Sequence, residues 1–558
     1  MSTCTVKATV AAALMVPLFC GRLSAEPPHV SYVFPAGTQR GTAIDVRVGG
    51  HYLHEGARWD FDGLGLTASR RINRTGTIWF EGPRIPMPAS QQKEDYPVDY
   101  LGRIQVDTDA EPGIRSWRVH HVQGLTQPLP FVIGLLPEVM EHEIDGDPIP
   151  QKVTLPVTVN GRTFPREDVD LWSFHVEAGE TVTCIVHAAR LGSPLDARIS
   201  LSGPDGKRFA EDTGTFGLDP FVRFEAPVSG LYTVSLQDAA SGGLQHYVYR
   251  MTLTNGPWID GVYPLGGPTG ETVELTLRGA NLPEKSARVP LPDTPGIYWW
   301  HPDRFPACEL GIPLLVTADP EVIEPFDNNS EEPIPVEGLP CVLNGSINAP
   351  GQQDDWRLPV RKGEPLLLNL QASQLGSPLD SVITILDAQE TVLASNDDAG
   401  GQTDSRLKWT PGADGHVIVR IADRLNSRGD NRYVYRMTVG PPETESPVQF
   451  SARSASSSIN LDRGASTKLR VDIKRFAGKG EIEFHVEGLP EGVSVAATKA
   501  ATGKNRVDIE FSADEKAVLG MNPVTIYGTM EHEGEKVTMP VAGPDRPAQV
   551  IPFPWLSR

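Results

Sequence analysis

Apolar and polar residues alternate with a period of two through much of the chain. Ile44, Val46 and Val48 are separated by Asp45 and Arg47; Val273, Leu275 and Leu277 by Glu274 and Thr276; Tyr232, Val234 and Leu236 by Thr233 and Ser235. A strand with this pattern turns one face to a core and the other to water. Turn residues punctuate the runs, as at Gly49-Gly50, Pro204-Asp205-Gly206 and Ala413-Asp414-Gly415, and they supply the conformations that reverse a strand. No stretch carries the long 3.6-residue spacing of an amphipathic helix. Short strands with frequent turns predict an all-β chain of tandem β-sandwich modules, immunoglobulin-like and jelly-roll-like.

The pattern repeats. VFPAGTQRGTAIDVRVGGHYL from Val33 aligns without gaps with VYPLGGPTGETVELTLRGANL from Val262. LGSPLD occurs at Leu191–Asp196 and Leu375–Asp380, and YVYRMT at Tyr247–Thr252 and Tyr433–Thr438. Between these anchors Asn160-Gly161 matches Asn344-Gly345, Asp170 matches Asp354, and Trp172 matches Trp356. Identical strings in one order at a near-constant offset imply a duplicated pair of modules, A–B–A′–B′. The expected ranges are 28–136 for A, 137–255 for B, 257–319 for A′ and 320–440 for B′, with a further immunoglobulin-like domain at 448–543 and a tail at 544–558. A stiff polar linker, Pro441 to Pro447, precedes that last domain. Leu53 and Pro112 are 59 residues apart, whereas their counterparts Leu282 and Pro295 are 13 apart. A therefore carries an insertion, or A′ a deletion. Its stretch Arg84–Arg103 has little periodicity and reads as a long loop, a common place for ligand contacts.

Composition agrees with several small cores. The chain has 558 residues, too many for one core, and is rich in Gly (54) and Pro (50). A net charge of −21 would repel phosphate backbones, which argues against nucleic acid as a partner. Residues 1–25 have the shape of a secretory signal peptide. Lys7 gives the positive start, Ala8 to Cys20 the short apolar run, and Ala25 the small residue at the cleavage position. No later run is long and apolar enough to span a bilayer as a helix. The expected location is extracellular or periplasmic.

Cys184, Cys308 and Cys341 remain once Cys4 and Cys20 leave with the signal. No CxxC or other metal spacing is present. Oxidising surroundings leave a Cys308–Cys341 bridge open, and Cys184, inside the apolar run Val182 to Val186, reads as a buried strand residue.

The B segments resemble the bacterial pre-peptidase C-terminal domain, a β-sandwich often appended to secreted peptidases. The resemblance rests on Asn160-Gly161, the run Asp168 to Phe174, Ala178-Gly179-Glu180, LGSPLD and Gly230 to Val234, with matching motifs in the second copy. It covers about 240 residues. The opening Glu324-Pro325-Phe326-Asp327 is similar to the acidic start of that family. The A segments look like immunoglobulin-like modules of the IPT/TIG type. The family implies accessory work: adhesion to matrix or polymer, or support of a secreted enzyme. It also implies calcium near the acidic start, which points to Glu324, Asp327 and Asn328.

No HExxH, GxSxG, P-loop or dinucleotide fingerprint is present. His120 and His121 are adjacent on a strand and face opposite ways, so they are poorly placed to share a metal. The densest acidic loop is Asn396-Asp397-Asp398 with Asp404, around Ala399-Gly400-Gly401. Carboxylates and carbonyls on a flexible loop can wrap calcium, although Asp, Asn and Gly also serve ordinary turns. The equivalent loop in B carries Glu211, Asp212 and Asp219. LGSPLD reads as a tight bend flanked by core leucines, and Trp172 and Trp356 as core residues. Of the adjacent Trp299 and Trp300, one is expected to reach a surface or an A′–B′ interface.

These residues predict a secreted, non-catalytic, multimodular protein, not an enzyme. It would bind an extracellular protein or polysaccharide, with Ca2+ as the candidate cofactor. The alternative is an accessory chain that targets a secreted peptidase or other hydrolase.

Overall fold

The computed structural model describes residues 28–75, 99–121, 124–142, 148–214, 219–302, 304–325, 332–398, 403–442, 450–456, 458–475, 480–520, 522–532 and 535–543. Residues 1–27, most of the linker, the 84–98 part of the insertion and the tail lie outside them.

Alternating residues make strands almost everywhere, and ten sheets fall in pairs along the described chain. In B, one sheet runs in neighbour order Glu138–Met140, Val157–Arg162, Val248–Thr254, Thr181–His187, Phe221–Glu225. The facing sheet runs Gln151–Lys152, Val169–Val176, Gly230–Asp238, Ala197–Ser202, Arg208–Asp212. B′ repeats both orders strand for strand, from Glu321–Ile323 and Ile334–Pro335 onward. A and A′ share two three-stranded groups. A adds Arg58–Phe61, Leu66–Ala68, Asn73–Arg74 and Gly124–Leu125 at the margins of its sheets. Three of these strands come from the longer segment of A; of the stretch read as a loop, Arg84–Arg103, the described end enters the strand Tyr100–Val106. The last module pairs two four-stranded sheets over Phe450, Val471, Ile482, Phe511 and Met530.

Each pair of sheets closes over its own apolar cluster. In B this holds Val159, Trp172, Phe174, Cys184, Ile199, Val234 and Met251; in B′ it holds Leu343, Trp356, Leu368, Ile383, Val419 and Met437. Trp172 and Trp356 are fully buried, and truncating either to Ala would cost about 3–5 kcal/mol. A burying indole needs an acceptor. Trp172 Nε1 donates to the Tyr249 hydroxyl at 3.0 Å, and Trp356 Nε1 to that of Tyr435 at 2.8 Å. This accounts for one tyrosine of the repeated YVYRMT.

The arginine of the same motif ties modules together. Arg250 is fully buried and grips Glu138 with both terminal nitrogens, at 2.8 and 2.9 Å, while also donating to Asn160. It reaches Glu309 in the A′ segment as well. Arg436 does the same with Glu321 and Asn344, and donates to Thr317. Apolar contacts reinforce the junctions. Tyr32 and Phe34 of A pack with Leu191 and Val248 of B, and Ile185 of B with Trp258 and Ala307 of A′.

LGSPLD is a bend. A single 3-10 turn precedes Gly192 (φ 80°) and Gly376 (φ 98°), a left-handed conformation that favours glycine. Leu191 and Leu195 are buried beside it. The Cys308–Cys341 bridge that the sequence left open does not form. Cys184, Cys308 and Cys341 are free thiols, the last in the B′ core and Cys308 against the A′ core. His120 pairs with Asp60 and His121 with the Tyr52 carbonyl, so the two rings serve separate partners. Trp299 and Trp300 are both half-buried. No helix of the described residues is long and apolar enough to cross a membrane.

Candidate cation centre

One short arm and the start of a long strand position the candidate site. Glu138–Met140 joins its sheet parallel to Val157–Arg162, and this carries the next residue, Glu141, to the start of the facing sheet. There Asp168 and Asp170 stand two apart where Val169–Val176 begins, a spacing that places both on one face. Glu141, Asp168 and Asp170 converge, each offering a carboxylate oxygen within 4.8 Å of the others. They are the one such group of three acidic, His or Cys side chains among the described residues.

Backbone N–H groups fix the carboxylates. Glu141 Oε2 accepts from the Arg162 amide at 2.9 Å; Asp168 accepts from Phe164 at 3.1 Å and Val169 at 2.9 Å. Burial raises the Glu141 carboxyl to about 7, opposed by a hydrogen bond with Asp170 and increased again by the charge of Asp168. Burial also raises Asp168. Tyr249 lies well above its ordinary value, through burial and the neighbouring charges of Asp170 and Glu141. The Arg162 guanidinium, stacked on Phe34 at 4.2 Å, pulls the Glu141 carboxyl down. The pocket thus gathers three carboxyl groups, two of which, Glu141 and Asp170, share a hydrogen bond. Its donors are all oxygen, which suits a hard cation such as Ca2+ rather than a thiolate- or imidazole-seeking metal. The described residues therefore fit the group that the family resemblance implies, and they would hold it between the entry arm of B and its first long strand.

B′ builds the same pocket with one change. Glu324 occupies the place of Glu141, and its Oε2 accepts the Ser346 amide at 3.1 Å. Asp354 occupies the place of Asp170. Gln352 stands in place of Asp168: its Oε1 accepts the Asn348 amide at 2.8 Å, and its Nε2 donates to the Ser346 carbonyl at 3.0 Å and to Asp354 at 3.3 Å. Asp354 is raised well above the ordinary carboxyl range by burial and then by the charge of Glu324.

The loop residues singled out from the sequence are placed otherwise. Asp404 is buried and accepts the amides of Ala372, Ser373 and Gln374, fixing the LGSPLD bend; Asp219 does the same in B for 188–190. Asn396 Oδ1 accepts the Asp398 amide, while Asp397 and Asp398 face Arg424 at 3.9 and 3.8 Å. Asp397, Asp398 and Asp404 do not converge as Glu141, Asp168 and Asp170 do. Glu324 is in the B′ pocket; Asp327 and Asn328 lie outside the described residues. The cluster in B was within reach of the sequence, because Asp168-Val169-Asp170 alternates and Asp170 is one of the repeat anchors. The approach of Glu141 from 27 residues earlier was not.

No protein-family model matches the chain, and no curated protein does. Among solved structures, one similar chain is the pre-peptidase C-terminal domain of collagenase from Bacillus anthracis. It is 15% identical, with 20% of this chain and 100% of that one covered, at a TM-score of 0.17. Another is Lac15 from a marine microbial metagenome, 10% identical, covering 70% of this chain and 85% of that one at a TM-score of 0.10.

Proposed function

We propose that the chain is an exported, non-catalytic binding protein. Two copies of a pre-peptidase C-terminal-like module and two immunoglobulin-like modules present a repeated surface to an extracellular protein or polysaccharide. The observation that supports this best is the strand-for-strand duplication of B in B′, down to the Trp–Tyr and Arg–Glu–Asn contacts. Two copies of one surface on one chain raise the affinity for a repetitive polymer without any new contact. Buried bonds at the junctions, such as Arg250 to Glu309 and Tyr263 to the Glu324 carbonyl at 2.7 Å, hold neighbouring copies in a fixed relation. The cation pocket of B takes Ca2+ and ties the entry arm to the sandwich, which stiffens the A–B passage.

The test is the full chain, in calcium and in chelator, against immobilised matrix proteins and polysaccharides, with binding and product release followed together. Saturable binding without release agrees with the proposal. Turnover of any polymer sinks the non-catalytic reading, and copurification of a hydrolase would instead favour an accessory chain.

A further inference from the structure

The two copies of the B pocket are unequal at one position, and the geometry points to Gln352 as the residue that decides which copy takes a cation. We infer that B binds one cation and that B′ is a cation-excluding lock closed by the Gln352 amide. This rests on the cation reading of B given above.

The pockets superpose contact by contact. The amide of Arg162 binds Glu141 as that of Ser346 binds Glu324. The amide of Phe164 binds Asp168 as that of Asn348 binds Gln352. Each pocket ends on an aspartate beside a buried Trp–Tyr pair. In B the third group is a carboxylate, which brings a further acceptor and a charge. In B′ it is an amide, whose oxygen is taken by Asn348 and whose nitrogen donates inward to Asp354 and the Ser346 carbonyl. An N–H donor aimed at the shared space repels a cation and takes one oxygen of the carboxylate that a cation would need. The Gln352 amide thus does in B′ what a bound ion does in B: it fastens the entry arm, through Glu324 and Ser346, to the start of Gln353–Val360. One copy is ion-dependent and its duplicate is not.

Titration of Ca2+ into the chelator-stripped full chain, followed by calorimetry, tests this. The wild-type chain should take up one equivalent, Asp168→Asn none, and Gln352→Asp two. Gln352→Asp should also melt lower than wild type in chelator and recover in calcium, since three carboxylates then face one another in B′. Wild-type uptake of two equivalents overturns the inference. So does a folded Gln352→Asp chain that still takes one. No uptake by any of the three chains refutes the cation reading of B itself, a separate result.

Discussion

Arg250 reaches across a module junction to Glu309, Nη2 to Oε2 at 3.2 Å, with both side chains almost wholly removed from water. Arg250 also holds Glu138, at the entry of its own module. One guanidinium therefore fastens the start of B, its central strand and the following module. Removing it would leave two buried carboxylates without their cation, at a cost of about 3–5 kcal/mol for Arg250→Ala. Glu309→Ala should cost less, about 1–3 kcal/mol, because Glu138 still pairs with the arginine. Denaturant unfolding of the two variants checks the order.

Asp404 gives a sharp contrast with Asp168. It holds three backbone amides at the LGSPLD bend, so Asp404→Ala should destabilise the chain by about 1–3 kcal/mol. It should leave calcium uptake unchanged. Urea melts alongside calcium titration separate this structural role from the ligand role expected of its sequence.

The three thiols should be inert in the folded chain. Burial pushes Cys184, Cys308 and Cys341 each up to about 12, leaving almost no thiolate at neutral pH. Alkylation followed by peptide mapping should find all three unlabelled in the native protein and labelled after denaturation. Reduction should leave the melting temperature unchanged.

Acid should favour the stripped B pocket. Glu141 titrates near 7 in the fold against an ordinary value of 4.5, so the folded state binds more protons between those values. Stability in chelator therefore falls as pH rises from about 4.5 to about 7. His246, lowered to about 4 by burial and by the charges of His51 and His29, acts in the opposite direction. The Glu141 contribution is accordingly read as the difference between wild type and Glu141→Gln. Unfolding free energies in chelator at about pH 5 and about pH 8 should show the variant losing less.

The sequence made the strands and the duplication legible because period-two runs and repeated strings survive any loop change. Val46, Leu275, Val234 and Ile509 all face cores as their alternation predicts. It also marked Trp172, Trp356 and Cys184 as interior. The strand Arg58–Phe61 was hidden because the segment carrying it has no counterpart in A′ to compare. Asp404 holds the amides of the LGSPLD bend, and an aspartate beside a Gly-rich loop has the same local sequence whether it caps a bend or binds an ion. Glu141 was hidden because its place depends on the parallel addition of Glu138–Met140, a long-range pairing that no local pattern encodes.

Thermal unfolding of the full chain at about pH 8 with millimolar calcium, against the same chain in chelator, tests the cation-tied scaffold most directly. The wild type should melt higher in calcium, and Asp168→Asn should melt at one temperature in both. An unchanged melting temperature for the wild type would contradict the account.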